Sequence, residues 1–256
     1  GVGVMFYVLM ALRKQLRKID WFSSNGIAEP NLAQLLDLVA LGTVADVVPL
    51  SYTNRTLVQQ GLLRIRAGQC CEGIKALAGV AKKELPRLVA ADFGFALAPR
   101  INAAGRLDDM SHGIACLLTD DPSLARQYAL ELDSMNRERR VIEGDMQEAA
   151  LNDPRFASWN ESDHLPWSLC LYDSRWHQGV IGILAGRLKE KFHRPAIVFA
   201  DAGEDEIKGS ARSVSGLHIR DALDSIAARH PRILSKFGGH AMAAGLTLRR
   251  EHFETF

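Results

Sequence analysis

Ser168-Leu169-Cys170-Leu171-Tyr172 is followed by a helical stretch from Val180 to Phe192 and then by Ala196-Ile197-Val198-Phe199. Two short, mainly apolar runs flanking a segment of helical length read as strand, helix, strand, which is α/β grammar. Just upstream, Asn152 to His164 is rich in Asn, Asp, Ser and Pro and marks a domain boundary. Before that boundary, Leu124, Tyr128, Leu132, Met135, Ile142, Met146 and Ala149 recur at helical spacing. A helix from Pro122 to Leu151 would be about 45 Å long at 1.5 Å per residue, the length of a connector. The expected layout is a first domain over residues 1–120, a connector over 121–155 and a second domain over 156–256.

The first domain reads as helical. Val4 to Ile19 ends on Arg13, Lys14, Arg17 and Lys18, the cationic last turn that a helix dipole favours. Asp20 to Pro30 reads as a loop. Asn31 can cap a helix through Leu32, Leu35, Leu36, Leu38 and Val39 that ends near Gly42, with a polar turn from Thr43 to Asp46. Thr53 or Asn54 opens another helix through Leu57, Leu62, Leu63 and Ile65, and Ala90 to Leu97 leads helically into Pro99 and Arg100.

A chain of 256 residues with 47% hydrophobic content fits two globular domains with ordinary cores. The net charge of +1 decides nothing about nucleic acid, since a basic groove can be offset by acidic surface elsewhere. Cys70, Cys71, Cys116 and Cys170 lack the CxxC spacing of a zinc or redox motif, so a reducing cytoplasm is the default expectation. Val2 to Leu12 is too short an apolar stretch to span a bilayer, and no targeting segment or membrane partner is expected. The chain opens on Gly1-Val2-Gly3-Val4 without Met and stops where an amphipathic pattern begins, at His252 to Phe256; it is expected to be a piece of a longer protein.

Several segments carry candidate chemistry. In Lys236-Phe237-Gly238-Gly239-His240-Ala241-Met242-Ala243-Ala244-Gly245, an imidazole follows a glycine pair whose backbone can form a concave run of N–H groups suited to an anion. The same residues would equally make a tight turn. Asp46 sits between apolar runs, where a carboxylate is a cap, an ion-pair member or a metal ligand. Arg100 and Arg106 flank Asn102 and a run of small residues, a combination suited to a phosphodiester, unless Asp108 and Asp109 pair with the arginines and cap the next helix. In Lys208-Gly209-Ser210-Ala211-Arg212-Ser213, strand alternation would point Ser210 and Arg212 the same way, toward one phosphate, or out from an exposed edge. Trp176-His177-Gln178-Gly179-Val180-Ile181-Gly182 reads as a strand-to-helix turn whose helix N-terminus could face an anion, with His177 free to cap or pack. No P-loop, GxGxxG, GxSxG or HExxH motif is present, which argues against P-loop nucleotide hydrolysis, serine hydrolysis and zinc proteolysis.

Together these segments resemble the DHH phosphoesterase family and, within it, the RecJ-type single-stranded-DNA exonucleases. Leu36 to Leu50 is similar to the last metal-binding motif of the DHH domain, Arg100 to Leu107 to a motif at the end of that domain, and His177 to Ile183 and Gly238 to Gly245 to the two signatures of the DHHA1 domain. The resemblance implies two α/β domains joined by a long connector helix: the C-terminal part of a DHH catalytic domain, then a DHHA1 substrate-binding domain. It implies hydrolysis of phosphodiesters from the 5′ end of single-stranded DNA, in repair and recombination, with two divalent cations, Mn²⁺ or Mg²⁺, and with a helicase or single-strand-binding protein as partner.

In that reading Asp46 is a metal ligand and catalytic, and Ser210 and Arg212 hold the 5′-terminal phosphate. Arg100, Asn102, Arg106, Gly238, Gly239 and His240 line the scissile or adjacent phosphates, with His240 also catalytic. The chain departs from the family pattern in lacking the early Asp-rich motif and the Asp-His-His triplet, so this piece alone is expected to be inactive. Two alternatives stay open: another DHH phosphodiesterase acting on oligoribonucleotides or cyclic dinucleotides, and a non-catalytic nucleic-acid-binding member.

Overall fold

A computed structural model describes residues 1–153 and 166–256, which form two compact units, Gly1–Arg137 and Glu138–Phe256. The boundary segment Asn152 to His164, with Trp159, lies almost wholly outside the described residues.

Unit 1 is built from helices. They are α1 (Val2–Lys18), α2 (Leu36–Ala45), α3 (Tyr52–Arg66), α4 (Glu72–Val80), α5 (Ala98–Leu107), α6 (Ser111–Leu118) and the first half of α7 (Pro122–Leu151). The periodicity of Leu124 to Ala149 thus belongs to one unbroken helix over the span expected of it. Asn31 accepts a hydrogen bond from the Ala33 N–H at 3.1 Å and opens the 3₁₀ turn Leu32–Leu35 that leads into α2, as its cap position requires.

Two details differ from expectation. A helical turn, Trp21–Ser24, interrupts the Asp20 to Pro30 loop. Helix α2 also runs past Gly42 to Ala45, because Gly42 serves close approach rather than termination: a Cβ there would fall 2.8 Å from Val2 Cγ1 of α1. Gly61 does the same between α3 and α2, where a Cβ would fall 2.1 Å from the Leu36 carbonyl oxygen. The core is closed by Leu41, Leu62, Ile65, Leu77, Phe93 and Leu132, all buried.

All strands among the described residues belong to unit 2, so the α/β class holds with the sheet confined to that unit. Its elements are β1 (Leu169–Tyr172), α8 (Ile181–Phe192), β2 (Ala196–Asp201), β3 (Glu206–Arg212), α9 (Ile219–Arg229), β4 (Leu234–Gly239) and β5 (Ala243–Arg249). The sheet order is β1-β2-β3-β5-β4, parallel between β1 and β2 and antiparallel elsewhere. The opening strand, helix, strand reading is therefore a parallel crossover, the connection a helix normally makes.

Helix α9 packs on β4 and β5, closing a core of Phe199, Ile207, Ala211, Leu223, Leu246 and Leu248 on one face. Helix α8 packs on β2 and β3 over the other face, where Ala196 and Val198 are buried. Toward β5 and β4 that second face stays open, and Gly245, Gly238 and Lys236 are exposed there. Strand β3 lies between β2 and β5, which rules out the exposed-edge reading of Ser210 and Arg212.

Candidate phosphate site and metal ligand

Alternation along β3 buries Ile207, Gly209 and Ala211 on the α9 side and turns Ser210 and Arg212 to the other. Arg212 Nη1 donates to Ser210 Oγ at 3.1 Å and to the Ala211 carbonyl at 2.8 Å, so the guanidinium lies back along its own strand over the serine. Both groups meet the first turn of α8. A Cβ on Gly182 would fall 2.8 Å from Ser210 Oγ and 2.9 Å from Arg212 Nη2. Only a residue without a side chain lets a hydroxyl, a guanidinium and the start of a helix converge this closely.

No side chain caps α8, whose N-cap is Val180. The Ile181 and Ile183 N–H groups already donate to the carbonyls of His177 and Val180 at 3.2 and 2.8 Å, which leaves the partial positive charge of the helix end and the Gly182 N–H to suit an anion. Upstream, His177 Nδ1 accepts from the Gly179 N–H at 3.1 Å, so His177 shapes the turn into the helix. Along the chain, Trp176 to Gly182 and Lys208 to Ser213 read as separate segments; the structure makes them one site, with Gly182 as the contact.

The Gly-Gly-His segment is the β4–β5 hairpin. Gly239 has φ 152°, and a Cβ there would fall 2.4 Å from the Ala243 carbonyl oxygen, so the position requires glycine. The His240 N–H closes the turn on the Ala243 carbonyl at 2.8 Å and leaves the imidazole exposed. Ser213 and Ile219 donate their N–H groups to the carbonyls of Met242 and Ala241 at 3.0 and 2.9 Å, pinning the hairpin tip beside the end of β3. Arg212 pairs in register with Ala243, and Gly239 with Ala244. Ser210, Arg212 and Gly238 to His240 therefore gather in one part of the unit 2 sheet.

Asp46, Arg100, Asn102 and Arg106 belong to unit 1. Asp46 is the C-cap of α2 and is exposed. The cost of burying a carboxylate between apolar runs applies instead to Asp37, which is 2% exposed and accepts from the Cys71 N–H at 2.8 Å, capping α4 from a distance. That role left no local signal, since its partner is 34 residues away. Asp46 and Asn102 line one cavity of about 690 Å³ with Thr43, Asn54, Tyr7 and Ile114.

Arg100 Nη1 donates to the Ala96 carbonyl at 2.6 Å, and its Nε is engaged by Asp133 of α7. Asp109 caps α6, accepting from the Ser111 N–H at 3.1 Å and hydroxyl at 2.6 Å, and these bonds hold it below the usual carboxylate range. Among the described residues no three His, Cys, Asp or Glu side chains form a group able to hold a metal, and Asp46 belongs to no such group.

The DHHA1 domain profile matches residues 168–256, the whole sheet of unit 2 with its helices. The single-stranded-DNA-specific exonuclease RecJ of Dickeya dadantii (strain 3937) is 57% identical over the entire chain, and that of Escherichia coli (strain K12) 56%. Along its whole length the chain is similar to RecJ. It spans 44% of the length of these two RecJ relatives. The crystal structure of Thermus thermophilus RecJ in complex with Mg²⁺ superposes with a TM-score of 0.76 at 33% identity, covering 91% of this chain and 34% of that one. The RecJ complex with Mn²⁺ from the same organism gives 0.75 at 33% identity, over 91% and 33%. No helix among the described residues is long and apolar enough to cross a membrane.

Proposed function

We propose that this chain works as part of a metal-dependent 5′-to-3′ exonuclease that hydrolyses phosphodiesters in single-stranded DNA during repair and recombination. In this reading unit 2 holds the 5′-terminal phosphate, and residues 1–120 act as the C-terminal part of a DHH catalytic domain. The observation that carries it is the convergence of Ser210 Oγ and the Arg212 guanidinium on the uncapped first turn of α8 at Gly182. A terminal phosphate dianion would accept from a hydroxyl, a forked guanidinium and the Gly182 N–H at once, and a 5′-hydroxyl offers none of that charge. These groups address phosphate rather than base edges, so sequence-independent recognition follows.

Asp46 would contribute one carboxylate to the metal site. The dipole of α2 disfavours a bare carboxylate at its C-terminus, and a cation bound there removes that penalty. When bound, divalent Mn²⁺ or Mg²⁺ would supply charge neutralisation and an activated water. Asn102, on the same cavity as Asp46, would face a phosphate near that carboxylate, with Arg106 and Arg100 on the same helix. The exposed imidazole of His240, beside the Gly238-Gly239 turn, would donate to a phosphate oxygen.

Binding of the 256-residue chain to 5′-phosphorylated and 5′-hydroxyl single-stranded oligonucleotides tests the reading. A preference for the phosphorylated strand that disappears in Arg212→Ala is expected. Equal binding of both strands, unchanged in the variant, would overturn it.

A further inference from the structure

Helix α1 is apolar on two sides. Val2, Phe6 and Leu9 pack inward with Leu32 and Val39. On the opposite face Val4, Tyr7, Val8, Ala11 and Leu12 recur at spacings of three and four, and all are exposed, Val4 by 70% and Val8 by 52%. A surface helix turns polar residues away from its core, whereas a helix that is apolar all round belongs to an interior. The first charged residue of α1 is Arg13, so only the Tyr7 hydroxyl interrupts a stripe about 12 Å long.

The stripe continues into the cavity that Asp46 and Asn102 share. Val4 and Tyr7 also line that cavity, together with Ile114 and Leu118 of α6, which are 54% and 71% exposed. An apolar surface that runs on from a helix face into a cavity of about 690 Å³ is a contact surface, unlike apolar side chains exposed singly. Asp46 is the one carboxylate among the described residues that line it.

We infer that the α1 stripe and the cavity at Asp46 form one docking surface, covered in the full-length protein by the rest of the catalytic domain. The apolar face of that body lies on Val4, Val8 and Leu12, and its carboxylates reach Asp46. The inference rests on the reading of residues 1–120 as part of a metal-dependent catalytic domain with Asp46 as a ligand. The chain spans 44% of the length of its RecJ relatives, so more than half of their length has no counterpart here. Asp46 belongs to no group able to hold a cation among the described residues, so in that reading the remaining ligands come from elsewhere and enter the same cavity. The other occupants fit less well. A nucleic-acid backbone finds no cation along the stripe, and a second copy brings only the same cavity with the same single carboxylate.

The test places a thiol on the stripe and asks whether it is covered. Val8→Cys keeps a small apolar side chain at a half-exposed position. Its alkylation by iodoacetamide at about pH 8 is followed in the 256-residue chain and in the full-length protein, with the wild-type cysteines as background. The 256-residue chain should react as an open thiol does, and the full-length protein at least about tenfold more slowly, because a buried cysteine is inert. Equal rates in the two proteins would overturn the inference. So would a slowing in the 256-residue chain that grows with its own concentration, which would give the surface to a second copy. Asp46→Asn in the full-length protein, read by Mn²⁺ titration, separates the inference from the reading beneath it. If that variant binds Mn²⁺ as wild type does, the metal-ligand reading fails; if it binds more weakly while Val8→Cys reacts equally in both proteins, only the docking inference fails.

Discussion

The guanidinium Nε of Arg100 donates to Oδ1 of Asp133 at 2.8 Å, tying α5 to α7 across 33 residues of sequence. The other carboxylate oxygen of Asp133 faces Arg137 Nη2 at 2.7 Å, and the side chains of Arg100 and Asp133 are only 15% and 12% exposed. Removing the carboxylate strands a largely buried cation. Asp133→Ala should therefore destabilise the chain by about 3 kcal/mol, the scale of a broken buried pair, whereas Arg100→Met with Asp133→Leu should recover most of the loss. Urea unfolding of the two variants checks this, and equal losses in both would show that the pair is held by something other than its charge.

Gly61 offers a purely steric counterpart. Because a Cβ there would fall 2.1 Å from the Leu36 carbonyl, Gly61→Ala forces α3 away from α2. The gain in helix propensity, about 1 kcal/mol, works in the opposite direction. Overpacking against backbone should win, leaving a net loss of about 1–2 kcal/mol in thermal or urea unfolding.

Gly182→Ala separates stability from binding. The atoms in its way are the ends of the Ser210 and Arg212 side chains, which can move, so the melting temperature should stay within a few degrees. The moved groups are the proposed phosphate ligands. A loss of about tenfold in preference for a 5′-phosphorylated strand is expected, a penalty of about 1.4 kcal/mol, and unchanged preference would remove Gly182 from the site.

Burial raises the Cys70 thiol to about 12, with the neighbouring Cys71 adding to the shift, and burial pushes Cys71 and Cys116 each up to about 11, from an ordinary 9.0. A thiol that keeps its proton in the folded state while losing it in the unfolded chain favours folding fully below pH 9. That contribution is lost as pH rises from about 9 toward 11 and 12. Stability should fall across that window. At about pH 8 iodoacetamide should alkylate these thiols far more slowly in the folded chain than in urea, since the thiolate is the nucleophile.

What the sequence disclosed was local. Apolar spacing between Leu124 and Ala149 suffices to draw α7, and one short polar side chain at Asn31 marks a helix start, because both signals act within a turn or two of the chain. Strand alternation likewise put Ser210 and Arg212 on one side. Contacts closed by folding left no such trace. Nothing near Arg100 announces Asp133, nothing near Asp37 announces the Cys71 amide, and whether β3 is an edge or a centre depends on which strand comes to lie beside it. Gly42 shows the limit most clearly: the residue type that ends helices also lets two of them touch, and only the neighbour, Val2, decides which.

Strand β5 lies hydrogen-bonded between β3 and β4, so the Ser210-Arg212 pair and the Gly238-Gly239 turn are held apart by a single strand. That interval is a ruler graduated in amide bonds. Its graduations are indifferent to side chains, so the residues of β5 facing α9 can drift through any apolar set without altering the distance between the two motifs, while one inserted residue would shift the register and separate the motifs at once.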